Sequence, residues 1–258
     1  MKIITSTYNQ KSCKQSKSIQ RLLTVYIAIF FLTWLSNSMA ETNDLEQKNF
    51  KLNYAVIWNG SNLGRIETSI NSANNNVDIT SITKAEGMAS IWLGGALVQS
   101  CAFETRDNMV FSSTFSVEKK GRNKYKNLVK YDWETQKISF NDEPAFDMPK
   151  GYIVDNCNFH FAAAYSGIDR LKNNPIYVMD GRKKRIRGYV FESISEERIE
   201  TPIGNFDTTK IVLKRELDEN KKFTFWVSPE KPFFPLKMMD SRKSGKRIML
   251  IQSVENES

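Results

Sequence analysis

Side chains that commonly act as nucleophiles, bases or metal ligands are scarce in this 258-residue sequence. His160 is the single histidine, so any serine or cysteine nucleophile activated by a histidine would have to use it. Ser166 lies in the segment AYSGI, which lacks the first glycine of the nucleophile elbow. His160 belongs to no recognisable motif, and we interpret it as a packed or surface side chain.

Metal, phosphate and paired-carboxylate sites are not indicated either. One histidine and the two cysteines after residue 40 do not supply the usual four ligands of structural zinc. No glycine-rich phosphate loop of the common spacings occurs. Glu196 and Glu197 are adjacent, so on a strand they would point to opposite faces. We expect no catalytic residues, no metal, no cofactor and no enzymatic activity, with a hydrolase that uses unrecognised carboxylates as a remote alternative.

The segment RKKRIR contains the one dense basic patch of the sequence, formed by Arg182, Lys183, Lys184, Arg185 and Arg187. One interpretation is an anionic-surface patch that makes peripheral contact with lipid headgroups or binds an acidic partner. The other is a solvated edge strand, whose charges would prevent pairing with the sheet of another molecule.

The first 40 residues have the order of a secretory signal peptide. A basic start is followed by the apolar segment Leu22–Leu35 and by small residues at Ser38 and Ala40. The apolar segment is shorter than the roughly 20 residues that a helix needs to span a bilayer. We predict cleavage between Ala40 and Glu41 and export to the periplasm, with an uncleaved inner-membrane anchor as the alternative.

Removal of residues 1–40 changes the charge balance. The whole chain has 37 basic and 29 acidic residues and a formal net charge of +8, and loss of the five basic residues of this segment leaves +3. A net charge this small does not indicate nucleic-acid binding. We predict a flexible mature N-terminus over residues 41–47 and a single β-rich domain over residues 48–256.

Apolar–polar alternation dominates this domain and predicts strands. It places Leu52, Tyr54, Val56 and Trp58 on one face. From Met109 to Val117 it continues without a break, which puts Phe111 and Phe115 on the same face. We count about eleven such strands, mostly joined by short turns, and so many antiparallel strands must curl or fold over.

Two segments interrupt the alternation. GMASIWLGG at 87–95 predicts one short helix or a loop over the sheet edge. DNCNFHFAAAYSGIDRL at 155–171 is the main helix candidate, because Asp155 or Asn156 can cap it and its three successive alanines favour helix. The predicted fold is mainly β: a single antiparallel, strongly curved sheet or half-open barrel of about eleven strands, with one main helix on the concave face.

Cys101 lies on a predicted strand, and Cys157 lies at the start of the predicted helix. If the helix packs on the sheet, the two sulfur atoms could meet, and a disulfide would persist in the oxidising periplasm. The alternative is two separate buried thiols that behave as small apolar side chains.

Four segments, taken in order, resemble a known family. They are NYAVIWNGSNLGRIETSI at 53–70, YDW at 131–133, ETPIGNFDTTKI at 200–211 and FWVSPEKPFFPLKM at 225–238. Together they resemble the bacterial exported proteins grouped as domain of unknown function 3108 (DUF3108), over nearly all of the mature chain. VDNCNFHF at 154–161 departs from the Asp-Pro-Leu-Ser-like helix start usual in that family. The resemblance supplies no catalytic residues.

The layout of that family is similar to the half-open barrels of periplasmic lipoprotein carriers (LolA/LolB-like), and this resemblance implies a space for an acyl chain between sheet and helix. Six large side chains are predicted to point inward: Trp58, Phe111, Phe115, Tyr131, Trp133 and Phe225. They could line an apolar cavity, or they could equally fill it.

Two functions therefore stay open. The first is a non-enzymatic protein of the cell envelope that binds a lipid, a lipidated protein or another apolar ligand in a half-barrel cavity. The second is a structural or interaction module of an envelope assembly with a filled core. The residues do not indicate the ligand, the oligomeric state or the biological pathway.

Export predicts a defined N-terminus. N-terminal sequencing of the protein isolated from the cell envelope should begin at Glu41, because Ser38 and Ala40 are the small residues that signal peptidase requires. Recovery of a membrane-bound protein that still begins with Met1 would contradict cleavage.

Overall fold

The computed structural model describes residues 48–165, 172–227 and 234–257, so the predicted signal peptide and the segment 41–47 lie outside the described residues. The strands are β1 (Lys48–Trp58), β2 (Ser61–Ala73), β3 (Asn76–Ala85), β4 (Leu97–Arg106), β5 (Met109–Lys119), β6 (Tyr125–Asp132), β7 (Lys137–Phe140), β8 (Phe146–Asp147), β9 (Tyr152–Asp155), β10 (Ile176–Asp180), β11 (Arg185–Thr201), β12 (Gly204–Arg215), β13 (Asp218–Val227), β14 (Pro235–Arg242) and β15 (Gly245–Glu257). The described helices are α1 (Met88–Leu93) and α2 (Phe159–Tyr165).

These strands form one open sheet in the order β8-β7-β6-β5-β4-β3-β2-β1-β15-β14-β13-β12-β11-β10-β9. Neighbouring strands are antiparallel, except that β9 and β10 are parallel. Neither described helix is long and apolar enough to cross a bilayer.

The prediction of about eleven strands was wrong, because the sheet has fifteen. Alternation does not mark β9 and β10, since all four residues of β9 and four of the five residues of β10 are buried. Strands covered on both faces lack the polar positions that produce a period of two. The other two strands that the prediction missed are β8, which has only two residues, and β14, which begins at Pro235. Proline usually argues against a strand, but at the first position of a strand it does not interrupt the hydrogen-bond ladder.

The sheet is rolled so that its two ends approach each other. β8 and β9 lie at opposite ends of the strand order, yet only residues 148–151 join them. At about 3.5 Å per residue this connection spans at most roughly 18 Å. The backbone N–H of Val110 on β5 donates to the hydroxyl of Tyr152 on β9 over 2.9 Å. The end of the sheet thus lies against the inner face of β5 without a backbone ladder that would close a barrel.

Close approach at this overlap requires a glycine. Gly181 follows β10, and its carbonyl accepts a hydrogen bond of 3.0 Å from Asn127 Nδ2 on β6. A Cβ atom at Gly181 would lie 2.6 Å from Cε1 of Phe115. A larger residue at position 181 would therefore push β10 away from β5.

Two-residue turns with positive φ at both positions connect β1 to β2, β2 to β3 and β4 to β5. They are Asn59-Gly60, Asn74-Asn75 and Asp107-Asn108. Type I′ turns need positive φ at both central residues, and asparagine, aspartate and glycine tolerate it best. These residues therefore fix the register of the first hairpins.

A β-bulge in β5 breaks the alternation that the sequence predicts there. Opposite β4, Thr114 pairs with Ala102 and Ser112 pairs with Phe103, so Ser113 is the extra residue. A bulge residue reverses the side-chain alternation beyond it. Phe111 and Phe115 consequently lie on opposite faces of the sheet.

The described part of the main helix is shorter than predicted. Asp155 ends β9, and α2 has seven residues from Phe159 to Tyr165, while residues 166–171 lie outside the described residues. The carboxylate of Asp155 accepts hydrogen bonds from the N–H groups of Cys157 and Asn158, at 2.9 and 3.0 Å. Asn158 Oδ1 accepts one of 2.9 Å from the N–H of Asp155. This reciprocal pair orders the turn between β9 and α2, as a capping box does.

A disulfide attaches this turn to the sheet. Cys101 on β4 is bonded to Cys157, with Cα atoms 6.0 Å apart and a sequence separation of 56. Both cysteines are buried. The bond therefore fixes the beginning of α2 over the concave face.

Loss of the disulfide should destabilise the protein. For a loop of this length the chain-entropy model gives about 4 kcal/mol, so Cys101→Ala with Cys157→Ala should lower the free energy of unfolding in urea by up to that amount. Cys101→Ala alone should cause a similar loss, because either change removes the cross-link. Alkylation of the denatured, non-reduced wild type should label neither cysteine. Two labelled cysteines per mature chain would contradict the bond.

Candidate ligand-binding cavity

A cavity of about 470 Å³ lies between α2 and the inner face of the sheet. Its wall includes Tyr54 on β1, Leu97 on β4 and Val117 on β5, together with Phe159 and His160 on α2. Small-molecule sites commonly measure about 300–1,000 Å³. The cavity is therefore large enough for a ligand.

Aromatic rings form one side of this cavity. We call Phe159, Tyr189, Phe223 and Phe225 the aromatic cluster. The ring of Phe159 lies 5.2 Å from Phe225, 5.4 Å from Phe223 and 5.5 Å from Tyr189, measured between centroids. Edge-on and tilted contacts of this kind stabilise the arrangement of the rings. Together the four rings present an apolar surface of defined shape.

Cations form an adjoining part of the wall, which we call the basic rim. Its members are Arg182, Lys183, Arg185, Arg187, Arg215, Lys221, Lys222, Arg242 and Arg247. They come from the beginning of β11, β13 and β15, from the end of β12 and β14, and from the turn before β11. Because these strands are antiparallel, all of these positions lie at the same end of the sheet. Among the residues that the structure describes, only Asp180 and Asp240 supply carboxylates to the same wall.

Those two carboxylates are buried and hold three of the arginines. Asp180 Oδ2 accepts a hydrogen bond of 2.5 Å from Arg187 Nη2, and Asp240 Oδ2 accepts one of 3.1 Å from Arg247 Nη2. Arg242 also binds Asp240, with Nε 3.0 Å from Oδ2. Burial lowers the pKa of Arg187 and Arg247, and the neighbouring carboxylates oppose that effect. Paired in this way, the three guanidinium groups remain charged and fixed in position.

Of the six side chains predicted to line a cavity, Phe225 lines this one. Phe115 and Tyr131 are buried in the core beyond the cavity wall. Trp58 is half-buried at the end of β1, outside the wall. The interior therefore contains both a packed core and a cavity, at different places along the sheet.

Phe111 and Trp133 pack against each other on the face opposite Ser112, with ring centroids 5.1 Å apart. Trp133 Nε1 donates a hydrogen bond of 2.7 Å to the carbonyl of Ser112, and the guanidinium of Arg106 lies 4.3 Å from the Phe111 ring. The bulge at Ser113 explains why Phe111 lies on the face opposite to the predicted one. Trp133 lies just after the end of β6, so the alternation of that strand does not determine its direction. Neither residue contributes to the cavity.

The predicted basic patch spans a hairpin turn and the beginning of β11, which is not an edge strand, so the edge-strand interpretation was wrong. Residues 181–184 connect β10 to β11, and β11 lies inside the sheet between β10 and β12. Arg182, Lys183, Arg185 and Arg187 all belong to the basic rim. Lys184 differs, because its ammonium pairs with Glu143 and lies 4.7 Å from the Phe140 ring.

Sequence reasoning missed the rest of the basic rim. Arg215, Arg242 and Arg247 stand far from the basic run, and Arg215 is also distant in the chain from the hairpin that carries Arg242 and Arg247. The sequence does contain a signal for these residues, because each of them lies near the beginning or the end of an apolar strand, and antiparallel pairing brings these positions to the same end of the sheet. This signal can be read only with the correct number of strands, and the alternation pattern predicted too few.

Residues 53–251 match the family model described as a protein of unknown function (DUF3108). The chain belongs to this family. A solved structure described as a β-barrel-like protein of DUF1849 from Brucella abortus is similar to it, with a TM-score of 0.52 and 9% identity over 83% of this chain and 99% of that one. This likeness supports a barrel-like fold and nothing beyond the fold.

A solved DUF1329 family protein from Desulfovibrio piger covers 83% of this chain and 87% of its own at 8% identity, and its TM-score of 0.26 carries no argument. No match was found among curated proteins.

His160 of this DUF3108 protein lies half-buried on the cavity wall. Burial lowers its pKa to about 4, so the imidazole is neutral at pH 7. No hydrogen bond joins His160 to a hydroxyl, thiol or carboxylate of another described residue. Ser166, the other candidate that we considered, lies outside the described residues.

Asp155 is the most deeply buried carboxylate of this DUF3108 protein, at 0% exposure. Besides the two N–H groups of the turn, Ser112 Oγ donates to Asp155 Oδ2 over 3.2 Å. Tyr131 couples to the carboxylate electrostatically, although its hydroxyl has no hydrogen-bond partner of good geometry. Burial outweighs the hydrogen bonds and raises the pKa of Asp155 to about 7.

Asp155 and the two cysteines place three potential ligand atoms within 4.8 Å of one another. The two sulfur atoms are bonded to each other, however, and a disulfide offers no thiolate to a metal. While the disulfide is intact, these three residues therefore stabilise the fold and do not form a metal site.

Asp155 should make stability depend on pH. A carboxyl whose pKa is raised from 3.8 to about 7 binds a proton in the folded state that the unfolded state releases. Stability should therefore fall as pH rises through this window, by at most about 4 kcal/mol at 1.36 kcal/mol per unit. Asp155→Asn retains an acceptor oxygen but cannot ionise. Its free energy of unfolding should match the wild type near pH 4 and exceed it at pH 8, and an equal difference at both pH values would contradict the raised pKa.

Proposed function

We propose that this DUF3108 protein is an exported, non-enzymatic protein of the cell envelope that binds a lipid or another amphipathic ligand in its cavity. The observation that carries this proposal is a cavity of about 470 Å³ whose wall contains both the aromatic cluster and the adjoining basic rim. Such a wall suits a molecule with an apolar part and a polar end.

Two features favour binding over the alternatives. An interaction module with a filled core would leave no space beside Phe223 and Phe225, whereas both side chains line the cavity. A hydrolase that uses carboxylates would need them free to act on a substrate, whereas Asp180 and Asp240, the carboxylates that the described residues bring to the cavity wall, are paired with arginines. Rings and fixed cations offer recognition rather than bond cleavage.

Native mass spectrometry of the purified mature protein tests this proposal. The spectrum should contain a second species that is heavier by the mass of a lipid-sized ligand and that is lost on denaturation. An apolar fluorescent probe should bind saturably to protein stripped of this ligand.

Filling the cavity should weaken probe binding. Thr83 on β3 lines the cavity, and Thr80 on the same strand is exposed. Thr83→Trp should raise the dissociation constant of the probe at least roughly tenfold, equivalent to about 1.4 kcal/mol. Thr80→Trp introduces the same side chain on the outer face and should leave probe binding unchanged.

Far-UV circular dichroism and urea unfolding of both variants establish that they fold. Equal probe binding by both would place the site elsewhere. If the wild type binds neither probe nor lipid, the proposal fails and the interaction-module alternative takes its place.

A further inference from the structure

We propose that the ligand carries a phosphate headgroup, which binds at the basic rim while its apolar chain lies against the aromatic cluster. This inference rests on the proposed function and specifies the chemical class of the ligand. Three observations on the basic rim support this inference. They are the pattern of ion pairs within the rim, the arginine N–H groups that have no acceptor, and the position of the rim beside the aromatic cluster.

Several cations of the rim have no carboxylate partner. Lys221 pairs with Asp218 at 2.7 Å, and Lys222 pairs with Glu192 at 2.6 Å. In contrast, no described residue forms an ion pair with the following members of the rim: Arg182, Lys183, Arg185 and Arg215. The two carboxylates of the cavity wall are already engaged by other arginines. The rim therefore has an excess of positive charge that the protein itself does not neutralise.

The inner arginines of the rim also have donors to spare. The Nε atoms of Arg187 and Arg247 are buried without a hydrogen-bond partner, although each side chain binds a carboxylate through Nη2. A buried N–H group without an acceptor is unfavourable. A phosphate has several oxygen atoms, so it can accept bonds from more than one guanidinium group of the rim.

Like charges crowd the outer part of the rim. The charges of Arg185 and then Arg182 lower the pKa of Lys183, which shows that the three cations lie close enough to repel one another. A bound anion would replace this repulsion with attraction. A dianionic phosphate compensates several such cations more fully than a single carboxylate, and guanidinium groups match its oxygen geometry.

The charged and apolar surfaces meet at one pair of residues. Arg215 on β12 lies directly opposite Tyr189 on β11 in the strand register. Tyr189 belongs to the aromatic cluster, and its ring centroid is 5.5 Å from that of Phe223. A headgroup at Arg215 thus places the first carbons of an attached chain beside the rings.

Isothermal titration calorimetry with dodecyl phosphate, dodecanol and inorganic phosphate separates the two parts of the ligand. Dodecyl phosphate should bind at least about tenfold more tightly than either of the others, and its affinity should fall as salt screens the rim. The double variant Arg185→Gln with Arg215→Gln removes two unpaired charges. It should bind dodecyl phosphate at least about tenfold more weakly and bind dodecanol as the wild type does.

The matched control is Lys126→Gln with Lys130→Gln, which removes the same charge from exposed positions on β6. This control should bind all three compounds as the wild type does. Equal binding of dodecyl phosphate and dodecanol, unaffected by the double arginine variant, would overturn the phosphate inference and leave the proposed function intact. Inorganic phosphate that binds as tightly as dodecyl phosphate would overturn it too, since the chain would then contribute nothing. Absence of binding by any compound would overturn both.

Discussion

The junction between the end of the sheet and strands β4 and β5 is the constraint on which the rest of the structure depends. An open sheet has no backbone ladder to hold its two ends together, so side chains must do so. The Cys101–Cys157 disulfide does this covalently, and Asn158 Nδ2 donates a hydrogen bond of 2.8 Å to Ser112 Oγ, which in turn donates to Asp155. Without this junction α2 would not lie over the concave face, and the cavity would lose one wall. A buried polar network of this kind specifies one arrangement because each unsatisfied member is costly.

Antiparallel topology then determines where the charge of the cavity lies. Each hairpin returns the chain to the same end of the sheet, so cations at alternate strand ends converge although they are distant in sequence. Arg187, Arg215 and Arg247 reach the cavity from β11, β12 and β15 in this way. Next to these ends, β11 and β13 supply Tyr189, Phe223 and Phe225 of the aromatic cluster, and α2 supplies Phe159. One end of the interior is thus cationic and the adjoining region is apolar, without any local motif that encodes a binding site.

The sequence predicts the position of a residue where that position depends on its neighbours in the chain, through turn preferences or apolar–polar alternation. Short turns such as Asn59-Gly60 and most alternating strands follow these local rules, so the β-rich fold and its curvature were predictable. β9 and β10 were not, because burial on both faces removes alternation. Phe111 could not be placed correctly either, since the bulge at Ser113 shows only in the pairing with β4. The cavity wall was the least predictable part, because Arg187, Arg215 and Arg247 come together only once β11 to β15 are in register.

Within the proposed site, the paired and unpaired cations have different physical roles. Asp180 and Asp240 hold Arg187, Arg242 and Arg247 in fixed positions, so these guanidinium groups present donors of defined geometry. Fixed donors discriminate between ligands, because binding costs them little conformational entropy. Three of the unpaired cations, Arg182, Lys183 and Arg185, are exposed, where long-range attraction raises the rate at which an anion arrives. The two buried carboxylates therefore do more than reduce repulsion. They fix the orientation of the guanidinium groups, and because Arg242 and Arg247 share the carboxylate of Asp240, that pair keeps a net positive charge.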